Sequence, residues 1–314
     1  MIFTLTPNPS IDRSLTIEEI RFNTVLRSQN VRLDWGGKGF NVSRALKLFD
    51  IDSLAMGWVG GGTGKMLADG LQQLGIQTDF VWVDRDTRTN TMIIEEEGDW
   101  HIKVNEPGPP ISEEDIEQLI LKVESYARKD DLWILSGSLP PDVPDNFYAT
   151  LIEFLKTRGS RVILDASGTA LHHGYQSRPY LVKPNIYEAS QVVGFAIDDV
   201  EDAKRAALPF LRMGIDYFAL TMGSTGLLLA SQSEMVYAYP PKVNVRNAAG
   251  SGDSLLAGMI YAQMQGMDLV EVARWGVATG TASVETDGVS EFSLSRIQAL
   301  LPEVVSRTIN IMGS

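Results

Sequence analysis

The chain has 314 residues, enough for two domains or one large α/β domain with a substantial core, and 27 Lys and Arg against 40 Asp and Glu leave it at −13. That acidity argues against a nucleic-acid partner, which demands a basic surface, and the absence of cysteine excludes disulfides, thiolate catalysis and zinc–sulfur sites. Three histidines leave little for a His-based metal site, and with no basic leader and no apolar run of about 18 residues, no membrane partner and a cytoplasmic location are expected.

Residues 1–6 form a short apolar, β-branched run stopped by Pro7-Asn8-Pro9, which predicts a buried strand and a rigid loop. Asp12 follows at the carboxyl end of that strand, where α/β proteins bind ligands; a plain turn residue is the equal alternative. Residues 21–35 alternate loosely, with Val25, Arg27, Val31 and Leu33 among polar neighbours, and predict exposed strands. Gly36-Gly37-Lys38-Gly39-Phe40-Asn41 then opens a helix with Val42, Ala45, Leu46 and Phe49 on one stripe. Glycines so dense cost chain entropy, which favours close approach of a polar ligand over a flexible turn.

Residues 54–59 predict one more strand, leading into Gly60-Gly61-Gly62-Thr63-Gly64-Lys65. This is not a P-loop: Val59 stands where glycine is needed, and Met66 where Ser or Thr is needed. Residues 80–104 predict strands at 80–83, 91–94 and 100–104, with a turn at Gly98-Asp99 and Arg88 ahead of the middle strand. Together with 12–35 they are expected to form one small β-sheet, the candidate lid of a single domain spanning 1–314. Ser112-Glu113-Glu114-Asp115 caps a helix through Tyr126.

From there strands and helices alternate. Residues 132–135 precede Ser136-Gly137-Ser138-Leu139-Pro140 and a helix at 145–157, and 162–164 end in Asp165. Residues 180–182 precede Lys183-Pro184-Asn185 with Glu188 a turn later, and 217–220 precede Thr221-Met222-Gly223-Ser224-Thr225-Gly226. Polar residues thus collect where the carboxyl ends of a parallel sheet are expected.

Asn247-Ala248-Ala249-Gly250-Ser251-Gly252-Asp253-Ser254 carries the most chemistry. It runs into a helix with Leu256, Met259, Ile260 and Gln263 at i, i+3, i+4 and i+7, one largely apolar face. Small residues at a helix start, with unpaired N–H groups and the positive end of the macrodipole, bind anions. Asp253 repels such an anion unless it takes a proton from whatever attacks it. A simple helix cap is the other reading, and on this stretch alone both stay open.

The two glycine-rich stretches together resemble the signatures of the PfkB (ribokinase-like) carbohydrate kinase family, 247–253 the second and Gly36 to Asn41 the first. The resemblance runs almost end to end. Asn8-Pro9-Ser10-Ile11-Asp12, Gly61-Gly62-Thr63-Gly64-Lys65, Ser136-Gly137-Ser138-Leu139-Pro140 and Asn105 with Pro107-Gly108-Pro109 place it nearest the phosphosugar branch. The stretch from Arg32 to Gly39 is most similar to the fructose 1-phosphate kinases of that branch, which usually carry Pro at Trp35 and an acid at Lys103. The resemblance implies a doubly wound, mostly parallel α/β sheet flanked by helices, with the small β-sheet as lid. It implies ATP and Mg²⁺ as cofactors and a phosphosugar as substrate, first fructose 1-phosphate at O6, then tagatose 6-phosphate or fructose 6-phosphate at O1.

It further implies Asp253 as general base and Ala249, Gly250, Ser251 and Gly252 as an anion hole. Asp12, Gly37, Lys38, Gly39 and Asn41 are expected at the sugar, and Arg27, Arg88 and Ser138 at its phosphate. Lys183, Asn185, Thr221, Gly223, Ser224 and Gly226 are expected along ATP, with Asn185 and Glu188 ordering magnesium through water. Two arginines exceed what an unphosphorylated sugar or nucleoside needs, and a non-catalytic sugar-phosphate sensor has no use for an intact Asp253. The open edges of a lid sheet would suit pairing with a second copy of the chain.

Overall fold

The computed structural model describes residues 1–96, 100–288 and 291–309, so the turn expected at Gly98-Asp99 lies outside the described residues. Ten strands form one sheet in the order Val305–Ile309, Met235–Tyr239, Leu227–Ser231, Tyr217–Thr221, Leu181–Val182, Arg161–Asp165, Leu132–Ser136, Ile2–Leu5, Leu54–Met56 and Gln77–Thr78. From Tyr217–Thr221 onward every neighbour is parallel, and the first four strands pair antiparallel. Ile2–Leu5 and Leu132–Ser136 are buried at every position, because helices cover both faces of the sheet.

The period of two divides the core. Phe3, Leu5, Trp133 and Leu135 face one layer, with buried side chains of the helices Glu113–Tyr126, Phe147–Thr157 and Val200–Arg212. Ile2, Leu132, Ile134 and Ile163 face the other, with those of Lys38–Lys47, Ser251–Met264 and Leu269–Val284. Helix Ser251–Met264 differs from the one-faced helix expected: Leu255 to Ile260 are all buried. It packs between Lys38–Lys47 and Leu269–Val284, and the missing side chain of Gly258 admits Thr279 and the Trp275 carbonyl. A helix enclosed on both flanks holds its N-terminus firmly, which a binding end requires.

Four strands form a separate small sheet in the order Asn30–Gly36, Ser10–Ile17, Arg88–Glu95 and His101–Val104. The central pair is parallel, with Ser10 opposite Arg88 and Asp12 opposite Asn90, and the outer pairs are antiparallel. Asp12 therefore lies within a strand of the small sheet rather than in a loop. Residues 80–83 do not join it: Val81–Val83 pairs with Trp58–Gly60 in a two-stranded sheet. Gly57, where a Cβ would strike the Thr6 carbonyl, lies between Leu54–Met56 and Trp58–Gly60, so residues 54–60 form two strands. No helix among the described residues is long and apolar enough to cross a membrane.

Candidate active site

The carboxyl edge of the main sheet gathers the polar residues. Thr6, Ser136, Asp165, Lys183 and Thr221 end or follow adjacent parallel strands, and a lone bridge joins Asn185 to Thr221. The helix Ser251–Met264 begins beside them at Gly250, which takes a left-handed conformation (φ 74°) and provides no side-chain cap.

Asp253 is not that cap. Its Oδ2 accepts a 2.8 Å hydrogen bond from Nδ2 of Asn41, on the helix Lys38–Lys47, and only 5% of the residue is exposed. Burial, helped by the charge of Asp165, pushes its carboxyl up to about 6, against the pull of Lys38, Lys183 and the Asn41 bond. The N–H of Ala249 is held by Asn247 Oδ1 at 2.9 Å, and those of Ser251 and Asp253 turn back to the Ala248 and Gly250 carbonyls at 3.3 and 3.1 Å. Among the described residues, no such partner engages the N–H groups of Gly250 and Gly252.

Asp165, which the sequence reading did not single out, is the electrostatic centre. It is fully buried, with Lys38 Nζ 2.7 Å from Oδ1 and Lys183 Nζ 2.9 Å from Oδ2. Burial would raise its carboxyl, but the two ammonium groups outweigh that and hold it below the usual range. Burial likewise works to lower Lys38, and the carboxylates of Asp165, Asp253 and Glu188 reverse this and raise it. Lys38, expected at the sugar, therefore points to the centre of the sheet edge. The only local signal for Asp165 was a carboxylate closing an apolar run, which many turns share.

Asn185 and Glu188, expected at ATP and magnesium, form a capping box. Asn185 Oδ1 accepts the Glu188 N–H at 2.8 Å, and Glu188 Oε2 accepts the Asn185 N–H at 2.9 Å. Glu188 Oε1 remains, 3.9 Å from Lys38 Nζ. Gly223 and Ser224 lie exposed in a short 3₁₀ turn after Thr221. Gly226 (φ 119°) is required by the fold: any Cβ there would strike the Ala238 carbonyl. Substituting it would test the turn rather than an approach to phosphate.

On the small sheet, Asp12 Oδ1 accepts from Ser10 Oγ and Asn90 Nδ2, each at 2.8 Å. Asn90 comes from the adjacent strand, a pairing invisible in sequence. The Arg88 guanidinium donates to the carbonyls of Asn8 and Glu106 at 2.9 Å and of Pro9 at 3.4 Å, and burial lowers its pKa despite Asp12 and Glu106. Asn8 Nδ2 reaches Ser138 Oγ at 3.4 Å and the Pro107 carbonyl at 2.9 Å. Arg27 is exposed in the segment between Ser10–Ile17 and Asn30–Gly36. Gly37 and Gly39 are demanded by packing, since a Cβ would come within 2.9 Å of Thr6 and Phe40 at the first and 2.7 Å of Thr6 Oγ1 at the second. The third glycine-rich helix start is closed by the chain itself: Asp86 Oδ1 accepts the Gly62 N–H at 2.8 Å.

Known proteins resemble this chain along nearly all of its length. The chain is 35% identical to the 1-phosphofructokinase of Bacillus subtilis, over 97% of this chain and 98% of that protein. It is 32% identical to the 1-phosphofructokinase of Borreliella burgdorferi, over 93% and 94%. The structure of phosphofructokinase-2 from Escherichia coli in complex with fructose-6-phosphate superposes with a TM-score of 0.89 at 28% identity, covering 96% of this chain and 98% of that one. The profile described as pfkB family carbohydrate kinase matches residues 8–296, and the chain belongs to that family, a phosphotransferase that uses ATP to phosphorylate a sugar hydroxyl.

Proposed function

We propose that the chain transfers the γ-phosphoryl group of ATP to O6 of fructose 1-phosphate. The observation that carries this reading is the buried Asp253 carboxylate, at the start of a glycine-rich helix and oriented by Asn41, in a chain similar over 97% and 93% of its length to two 1-phosphofructokinases. Asp253 takes the proton of the acceptor hydroxyl as its oxygen attacks the γ-phosphorus. Gly250, Ser251 and Gly252 stabilise the transferring phosphoryl group through the helix N-terminus, with Ala249 held in the same loop. Asp12 and Asn41 orient sugar hydroxyls, and Gly37 and Gly39 shape the wall beside them. Thr221, Gly223 and Ser224 lie along ATP, with Lys183 and Asn185 at its phosphates.

Magnesium would meet a limited set of donors, because the cap engages Asn185 Oδ1 and Glu188 Oε2. Glu188 Oε1 is a hard oxygen that would suit the ion, which would supply charge neutralisation at the triphosphate. A cytoplasmic place of work accords with these soluble substrates.

Arg27, Arg88 and Ser138 take the phosphate already on the sugar, Arg88 with the donors its three carbonyl bonds leave over. Arg88→Ala is expected to raise the KM for the phosphosugar by about ten- to a hundredfold, the worth of a charge-assisted bond, and the KM for ATP far less. Equal effects on both would place Arg88 outside the phosphate site. The exposed Val31, Leu33, Ile102 and Val104 on the outer strands of the small sheet suit a second copy, making a homodimer. Sedimentation giving a monomer at micromolar concentration would refute it.

The reading is tested by ADP release over fructose 1-phosphate, fructose 6-phosphate, tagatose 6-phosphate and the free sugars. The highest kcat/KM is expected with fructose 1-phosphate. Preference for another phosphosugar would change the substrate, and preference for a free sugar would remove the phosphate site.

A further inference from the structure

Lys38 belongs by sequence to the glycine-rich stretch assigned to the sugar, yet its ammonium is 2.7 Å from Asp165 Oδ1, and Asp165 Oδ2 holds Lys183 at 2.9 Å. Lys183 in turn lies against the helix start: a Cβ on Gly252 would be 3.4 Å from its Nζ. Cations are unfavourable at the positive end of a helix. Two ammonium groups held beside that helix end, among the carboxylates of Asp165, Asp253 and Glu188, offer with it a place for a multiply charged anion.

Lys38 and Asn41 are three residues apart on the helix Lys38–Lys47 and share a face, and Asn41 touches Asp253. The face that orients the base thus carries an ammonium as well. The Lys38 side chain is 35% exposed against 5% for Lys183, so an entering ligand can reach it. Each ammonium has three N–H donors; Lys38 gives one to Asp165 Oδ1, Lys183 meets Oδ2 as an ion pair, and Glu188 Oε1 at 3.9 Å from Lys38 is beyond hydrogen-bond reach.

We infer that Lys38 is a catalytic residue of the phosphoryl group rather than a sugar-binding residue, and that Asp165 is the positioning residue that sets it opposite the helix start together with Lys183. The inference rests on the kinase reading above. In the step it serves, the acceptor oxygen forms its bond to the γ-phosphorus and gives its proton to Asp253. The bond from the γ-phosphorus to the bridging oxygen breaks, and its electron pair leaves with ADP. Lys38 and Lys183 donate to the oxygens on which charge sits during that exchange, a role ammonium groups fill as compact point charges.

The test is calorimetric binding to Lys38→Met, which keeps the stem and removes the charge. The probes are fructose 1-phosphate alone, and the β,γ-imido analogue of ATP and ADP, each with magnesium. Fructose 1-phosphate and ADP are expected to bind within about threefold of the unaltered protein, and the ATP analogue at least about tenfold more weakly, the loss of one charge-assisted bond. Lys38→Arg keeps the charge and is expected to restore most of the analogue's affinity; it serves also if the Met variant does not fold, since a weaker phosphosugar with unchanged analogue overturns the inference in either variant. An equal loss for ADP and the analogue overturns it too, because the ammonium then acts away from the γ-phosphate. A wild-type protein that binds the ATP analogue but phosphorylates no sugar would defeat the kinase reading and with it the catalytic role of Lys38, whereas loss of the analogue-to-ADP difference in an active enzyme overturns the role of Lys38 alone.

Discussion

Replacing Asp253 with Asn is expected to lower turnover by at least about a hundredfold while both substrates still bind, since a general base contributes about 10²–10⁴-fold. The acceptor alcohol must lose its proton as it attacks, and no cysteine exists to take it. Asp253 is buried, lies at the helix start and is oriented by the 2.8 Å bond from Asn41, which an amide at the same position can still accept. Its pH dependence follows from its raised pKa. The base works ionised, so kcat/KM should be flat above pH about 6 and fall as pH drops through that value. Residual activity of Asp253→Asn should lack that acid limb. Asp12→Asn is the contrast: Asp12 is held by Ser10 and Asn90 on the small sheet, and its loss should chiefly raise the phosphosugar KM. A near-normal kcat in Asp253→Asn would end the general-base assignment.

Asp165→Asn should destabilise the fold by about 3–5 kcal/mol, the cost of removing one partner from buried charges. The carboxylate is wholly buried, and its two oxygens each hold an ammonium. An amide can face at most one of them with oxygen, which strands the other beside a positive helix end. Urea unfolding measures the loss. The control is Asp69→Asn, whose partner Lys65 is exposed four residues away on the same helix; it should change stability by no more than about 0.5 kcal/mol. If the two variants unfold alike, the Asp165 cluster is not the buried electrostatic centre described above.

Local order in this chain was legible because it is written in short-range physics. The cap at Ser112, which accepts the Asp115 N–H, needs only residues within one turn. The apolar runs of Ile2–Leu5 and Leu132–Ser136 announce strands covered on both faces, and hence a parallel sheet. The glycine-rich runs at 36–39 and 250–252 mark helix starts in the sequence, although the contacts that require Gly36 and Gly39, with Asp12 and Thr6, come from tertiary packing.

Other features depended on partners that sequence distance hides. Gly57, between two strands, lies against the Thr6 carbonyl, where a Cβ would not fit. The helix Ser251–Met264 is enclosed rather than one-faced because two other helices flank it.

The sequence by itself determined the alternation of strands and helices, the parallel sheet with polar residues at its carboxyl ends and the helix starts, since these follow from periodicity and from backbone groups a few positions apart. The doubly wound class and most candidate residues came from the family resemblance. Tertiary structure alone decided which candidates meet. Whether Asp253 caps its own helix stayed open until Gly250 took the N-cap position and Asn41, 212 positions away, was placed against its carboxylate. Asp165 gained meaning only when the sheet order brought Lys38 and Lys183 to its two oxygens. Charge pairing acts through space at about 3 Å, and the order in which strands lie side by side, rather than their order in the chain, sets which charges come that close.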